Sequence, residues 1–444
     1  MSRIIQRSLH EVPETAVSGE GIWLRLSDGS SVIDGSGGAA VACIGHGNKR
    51  VAEAIGAQSA KMAYAHTGFF SSEPAEALAD LLLADEPGGL THAFFVSSGS
   101  EAMEAAIKLA RQYFLEIGQP KRFRVIARRQ SYHGVTLGGL STGGHTARRA
   151  PYEPILSEAF SRVSPCFAYR YQLPAETDAQ YVQRLADDLD AEFQRLGPDT
   201  VTAFCAETVV GAATGCVTAV PGYFKSMREI CDRYGALLIL DEVMCGMGRT
   251  GTTHAWEQEE VSPDIQAVAK GLGGGYQPIG GILVAGKVIS ALRHGSGGFV
   301  HGQTYQAHAV ACAGALEVQR IIQEENLLAN VVEAGSKLET LLIERFRNHR
   351  HVGNVRGRGL FRAIEFVKDR STKTPFTPEL KLNERVKHEA FLRGLCIYPS
   401  TGTADGVNGD HIIVAPPYIV TPPQLDHIVD RLGEAVDAAV ASVA

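Results

Sequence analysis

Between about residues 90 and 290 the chain alternates between short, continuously apolar runs and longer stretches whose apolar residues recur every three or four positions. The continuous runs are "THAFFVSS", "RFRVIARR", "TVTAFCAET", "YGALLILDEV", "DIQAVAKG" and "GGILVAG". A strand that is apolar at every position is buried on both faces, as happens when helices cover both sides of a parallel sheet. The intervening segments supply such helices. "SEAMEAAIKLARQYFLEIG" and "GYFKSMREICDRYG" each gather their apolar residues on one helical face. The pattern predicts an α/β section with a mostly parallel central sheet.

From about residue 307 to 348 a helical period continues throughout and predicts one long connecting helix. Beyond it, "LFRAIEFV", "LCIYP" and "DHIIVAPP" predict the strands of a second, smaller α/β section. Near the start, "GIWLRLSDGSSVIDG" reads as a hairpin that packs on this smaller section. The expected division is an N-terminal segment over 1–60, a large domain over 61–330 and a small C-terminal domain over 331–444. There is no internal repeat and no low-complexity block.

Composition narrows this picture without changing it. The 444 residues, 45% hydrophobic and 20% charged, suffice for two or three sizeable cores. A formal charge of −7 without a basic block argues against nucleic acid or an anionic membrane as a main partner. No apolar run approaches the roughly 20 residues needed to cross a bilayer, and the first residues lack the core of a signal peptide. Eight cysteines occur without a Cys-x-x-Cys pair, and Cys205, Cys216, Cys231 and Cys245 have no metal-ligand rhythm. They read as small core residues in a reducing compartment, which predicts a cytoplasmic protein without disulfides or a bound metal.

In open parallel sheets, ligands bind beyond the carboxyl ends of the strands, so the polar residues just after each apolar run carry the candidate chemistry. After "AFFV" come Ser97, Ser98, Gly99 and Ser100 at the start of a helix, where free amides and the helix dipole suit a phosphate or, alternatively, a plain N-cap. After "RVIARRQS" come Tyr132, His133 and Gly134, with an aromatic ring able to stack on a flat ligand. After "ALLIL" comes Asp241, with three available fates: capping the next turn, pairing with an arginine such as Arg249, or facing a protonated ring nitrogen. After "DIQAVA" comes Lys270, either a snorkelling lysine or a desolvated amine able to form a Schiff base. One ligand explains all four: pyridoxal phosphate, which needs a phosphate cup, a stacking ring, an acid for its nitrogen and a lysine for its aldehyde.

The chain resembles the class III (ω-type) pyridoxal-phosphate-dependent aminotransferases of fold type I. The likeness runs through "GHGNKRVAEAI", "SSGSEAMEAAIKLAR", "SYHGVTLGGLS", "ETVVGAATG", "LLILDEVMCGMGRTG", "AVAKGLGGGYQPIGG", "HGQTYQAHAVACAGAL", "GRGLFRAIEF" and "APPYIVT". The resemblance implies that Lys270 is the Schiff-base lysine and that Asp241 pairs with the pyridine nitrogen. It places Tyr132 and Val243 on the two ring faces, Ser98, Gly99 and Ser100 at the phosphate, and His133 and Glu207 beside the cofactor. Thr304 would reach the phosphate of a neighbouring subunit in a homodimer, or dimer of dimers, with shared active sites. The implied reaction is ping-pong transfer of an amino group from an amine or ω-amino acid to a keto acid, pyruvate first. Amino-acid racemases and decarboxylases share the same scaffold.

Two departures bear on the substrate. Many glutamate-using members carry an arginine where this chain has Ile413, three residues before "PP", and the loop "YPSTGTADGVNGDH" that precedes it also lacks one. Arg148 and Arg149 are the candidate replacements for gripping a carboxylate. The stretch "GGAAVACIGHG" has Ala39 and Ala40 where some relatives have bulky side chains, which implies a roomy pocket for a large amine. A near match to a nucleotide-phosphate loop, "GILVAGKV", fails because its middle is strand-like and Val288 replaces the required hydroxyl.

Overall fold

In a computed structural model that describes residues 3–443, all six apolar runs are strands of one seven-stranded sheet. Met1, Ser2 and Ala444, at the outer limits of the first and last expected segments, lie outside the described residues. The strands are β1 (Leu90–Val96), β2 (Arg124–Arg128), β3 (Phe160–Val163), β4 (Val201–Glu207), β5 (Leu237–Asp241), β6 (Ile265–Val268) and β7 (Gly280–Ala285), in the spatial order β1-β7-β6-β5-β4-β2-β3. Six run parallel, and β7 runs antiparallel to both its neighbours. The reason lies in the connection: a parallel return needs a long crossover, whereas β6 and β7 are joined by a short glycine-rich stretch with no α-helix.

Successive residues of the central strands enter opposite cores. Phe204, Leu238 and Leu240 pack with helices Asp178–Leu196 and Tyr223–Tyr234, while Ala203, Cys205, Leu237 and Ile239 pack with helix Gly99–Glu116. Each fully buried leucine or phenylalanine stabilises the fold by roughly 1.5–3 kcal/mol, and burial on both sides explains why these runs are apolar throughout.

The expected long helix is two helices, Ala309–Glu324 and Leu327–Phe346. The chain turns between them at Asn326, whose φ of 50° is left-handed and breaks the helical hydrogen-bond ladder. Beyond lies an antiparallel sheet of Val352–Arg358, Phe361–Phe366, Asp410–Val414 and Tyr398–Thr401, covered by Leu327–Phe346 and Pro422–Ala441. The N-terminal hairpin, Trp23–Leu26 with Ser31–Asp34, joins this region: Ile33 pairs in parallel with Leu395, and Ile22 and Ile33 share its core. Among the described residues no helix is long and apolar enough to cross a membrane.

Candidate active site

The parallel register brings the chemistry together. Asp241 at the end of β5 lies directly beside Glu207 at the end of β4 and Ala267 near the end of β6, with Lys270 three residues further on. The segments after β1 and β2 close over these ends, enclosing a cavity of about 540 Å³. Its wall includes Ser98, Gly99, Ser100, Tyr132, His133, Glu207, Asp241, Val243 and Lys270. Of the expected site residues only Thr304 is absent from that wall; it is exposed in the segment before helix Ala309–Glu324.

Asp241 is buried and takes the capping fate together with a base that the sequence reading did not assign to it. Oδ1 accepts from the Val243 amide at 3.0 Å, and Oδ2 accepts from His133 Nδ1 at 2.8 Å. Arg249 is not its partner: its guanidinium, fully buried, donates to the carbonyls of Leu360 (3.0 Å) and Pro416 (2.6 Å) and lies 4.6 Å from the Tyr418 ring centroid. Burial alone would depress the His133 pKa; Cys205, 3.9 Å from Nε2, and Asp241 outweigh this and hold it well above 6.5. The imidazole thus fixes the orientation of the carboxylate at the cavity wall. Beside it, Glu242 is fully buried and accepts four hydrogen bonds, from Thr208, the amides of Ala255 and Trp256, and Gln266. These bonds anchor the strand end that carries Asp241.

Lys270 has a left-handed φ of 46°, an uncommon backbone state for a non-glycine residue and a common mark of functional sites. Among the described residues its amine makes no hydrogen bond or ion pair. Burial drops its pKa from 10.5 to about 8, against the pull of Asp241, Glu207 and Cys245. Glu207 accepts from the Tyr132 amide (3.0 Å) and the Gly211 amide (2.7 Å), and burial pushes its carboxyl pKa up.

Helix Gly99–Glu116 begins at the cavity. Ser98 is its N-cap, accepting from the Glu101 amide at 3.2 Å, so its oxygen is partly committed while the amides of Gly99 and Ser100 have no intrahelical acceptor. A Cβ on Gly99 would sit 2.7 Å from Val243 Cγ1, and one on Gly280 2.6 Å from the Ser98 carbonyl oxygen. The chain thus comes as close as glycine permits, leaving a slot edged by Val243 and roofed by the half-buried Tyr132. Open amides, a flat slot, a carboxylate held in place by hydrogen bonds and an uncommitted amine are the groups a phosphorylated pyridine aldehyde requires, so the residues fit pyridoxal phosphate.

The two arginine candidates part company. Arg149 is buried and spends its donors on the carbonyls of Leu140, Ser141 and Gly143 and on Glu153. Arg148 lines the cavity. Ala39 also lines it, whereas Ala40 is buried in the core behind, with Val209 and Ile413. Arg7, Met244 and Tyr398 are among the wall residues that were not singled out from the sequence; nothing near Arg7 signals its place. The rejected "GILVAGKV" segment is a strand running into a helix, with Lys287 paired to Asp264.

The family model for class III aminotransferases matches residues 4–436. An uncharacterised aminotransferase of Schizosaccharomyces pombe is 49% identical over 97% of this chain and 94% of its own. Among solved structures, an (S)-enantioselective ω-transaminase from Thermomicrobium roseum superposes with a TM-score of 0.90 at 35% identity, covering 97% of this chain and 94% of that one. An amine transaminase from an uncultivated Pseudomonas species, in a form bound to pyridoxal phosphate, superposes with a TM-score of 0.92 at 31% identity, covering 99% and 98%.

Proposed function

The chain belongs to the class III aminotransferases, enzymes that work with pyridoxal phosphate, and from that premise we propose that it moves an amino group from an amine or ω-amino acid to a keto acid, with pyruvate as acceptor, in ping-pong order. The observation that carries this reading is the uncommitted Lys270 amine, lowered to about 8, facing a carboxylate already held by His133. When bound, pyridoxal phosphate supplies an aldehyde that captures amines and a ring that spreads the charge left when a proton departs from carbon.

Each residue has a defined task. The amides of Gly99 and Ser100, with Ser98 behind them, hold the phosphate, and Tyr132 and Val243 flank the ring. Asp241, oriented by His133, keeps the ring nitrogen protonated, while Glu207 sits on the substrate side. Lys270 Nζ would take the proton from the substrate carbon that bears nitrogen and deliver it to the cofactor's own carbon instead of returning it to the substrate, which is what separates amino transfer from racemisation. Thr304, exposed on a single chain, reaches the phosphate of a second subunit in a homodimer. Ala39 leaves space for a bulky donor. All eight cysteines are unpaired and seven are buried, which supports a cytoplasmic setting.

The test is a half-reaction: purified holoenzyme, no keto acid, and amines and amino acids of increasing bulk. The yellow form converts to the pyridoxamine form with stoichiometric ketone or aldehyde, and Lys270→Ala abolishes this. A spectrum that stays yellow while one enantiomer turns into the other refutes transamination.

A further inference from the structure

The cavity carries positive charge that its own residues do not use. Of its acidic groups, Asp241 is bonded to His133 and the Val243 amide, and Glu207 to the amides of Tyr132 and Gly211. Two guanidinium groups remain on the wall, Arg7 and Arg148, and among the described residues neither has a hydrogen-bonded or ion-paired partner for its side chain. The contrast with Arg149, whose donors are fully engaged, shows that the shortage is not general to this segment.

Arg148 is half-buried, and its Cζ lies 4.8 Å from the Tyr132 ring centroid. Stacking fixes the plane of the guanidinium and leaves its N–H edge for a planar acceptor. The nearby His145 adds no second cation: burial and the charge of Arg148 hold its pKa down to about 4, so it is neutral. The position is also distinct from the open amides that suit a phosphate, since those follow β1 whereas Tyr132 and Arg148 follow β2. Ile413, by contrast, is fully buried in apolar surroundings and supplies no cation.

We propose that Arg148, with Arg7 on the same cavity wall, is the subsite that takes the carboxylate of the substrate, so that the enzyme selects amino acids and oxo acids over plain amines. The proposal rests on the transamination reading for its substrate and adds the group that recognises it. A forked, pre-oriented guanidinium binds a carboxylate through two charge-assisted hydrogen bonds. Removing it costs the acid on the order of ten- to a hundredfold in affinity, and costs a neutral isostere nearly nothing.

The experiment uses holoenzyme and two unreactive ligands, butyrate and butyramide, titrated by calorimetry. Wild type binds butyrate the more tightly; Arg148→Gln removes most of that preference and Arg148→Lys, which keeps charge without the fork, removes part. In the half-reaction, Arg148→Gln lowers kcat/KM for β-alanine by the same factor and leaves propylamine within about threefold. Equal affinities in the wild type, or a preference that survives in Arg148→Gln with Arg7→Gln, overturn the subsite. An unaltered cofactor band and melting temperature show that a variant is folded, and Arg148→Lys carries the test if the glutamine variant is not. If no donor bleaches the yellow form but the butyrate preference still depends on Arg148, the subsite stands and the transamination reading falls.

Discussion

The depressed Lys270 amine makes a quantitative prediction about how the protein acquires its cofactor. Only a neutral amine adds to an aldehyde, and burial lowers this one from 10.5 to about 8. That difference is about 3 kcal/mol in favour of the uncharged form, so about a tenth of the amines are neutral at pH 7 instead of about one in three thousand. The rate at which cofactor-free protein captures pyridoxal phosphate, followed by the growth of its visible band, should therefore rise with pH and level off above an inflection near 8. Asp241 and Glu207 both raise the lysine pKa, so removing either charge must shift the inflection downward. Asp241→Asn and Glu207→Gln should each move it down by roughly one pH unit. A rate that keeps climbing past pH 10, or an inflection that moves upward in these variants, would show that Lys270 is solvated as an ordinary lysine.

Three further substitutions probe the cavity and the packing beside it. Gly99→Ala places a methyl group 2.7 Å from Val243 Cγ1; it should weaken cofactor binding about tenfold by equilibrium dialysis, and undiminished affinity would mean that the slot is not tight. Arg249→Met strips two buried carbonyls, those of Leu360 and Pro416, of their donor. At about 1–3 kcal/mol for each unsatisfied group, the urea midpoint should fall clearly, and an unchanged midpoint contradicts the role assigned to that guanidinium. Ala39→Phe narrows the cavity wall; kcat/KM for bulky amines should drop about tenfold or more, with that for β-alanine changed little, and a uniform loss across donors would refute the steric argument.

What the sequence revealed, and what it withheld, follows from the range of each interaction. Lys270, Asp241 and the Ser98–Ser100 turn were legible because each breaks a local rule: a charge or a cluster of small polar residues directly after a strand buried on both faces. The partner of Asp241 was not legible. Arg249 is near in sequence and of opposite charge, yet it points away into the carbonyls of the smaller section, while His133 arrives from the far side of β4. Only the order of the strands decides between them. The direction of β7 had a cue in the absence of a helical period before it, whereas the break at Asn326 hides inside a continuous apolar pattern, because one left-handed residue leaves the periodicity on either side intact. Arg7 gave no sign at all; its meaning depends entirely on where the first residues lie across the cavity mouth.

The parallel pairing of Ile33 with Leu395 also has a bearing on how the molecule is made. About 360 residues separate the two, so a chain leaving the ribosome has its first strands in hand long before their partner has been synthesised. Ile22 and Ile33, fully buried at the end, share a core whose other members come mostly from Val318 onward. The seven-stranded sheet is complete by residue 285 and can form first, whereas the N-terminal hairpin must wait for helices 309–346 to share its core and for Leu395 to pair with Ile33. Non-local closure of this kind is slow and open to misassociation. A truncation before Leu395 removes the strand that Ile33 pairs with and should leave that hairpin less protected from proteolysis.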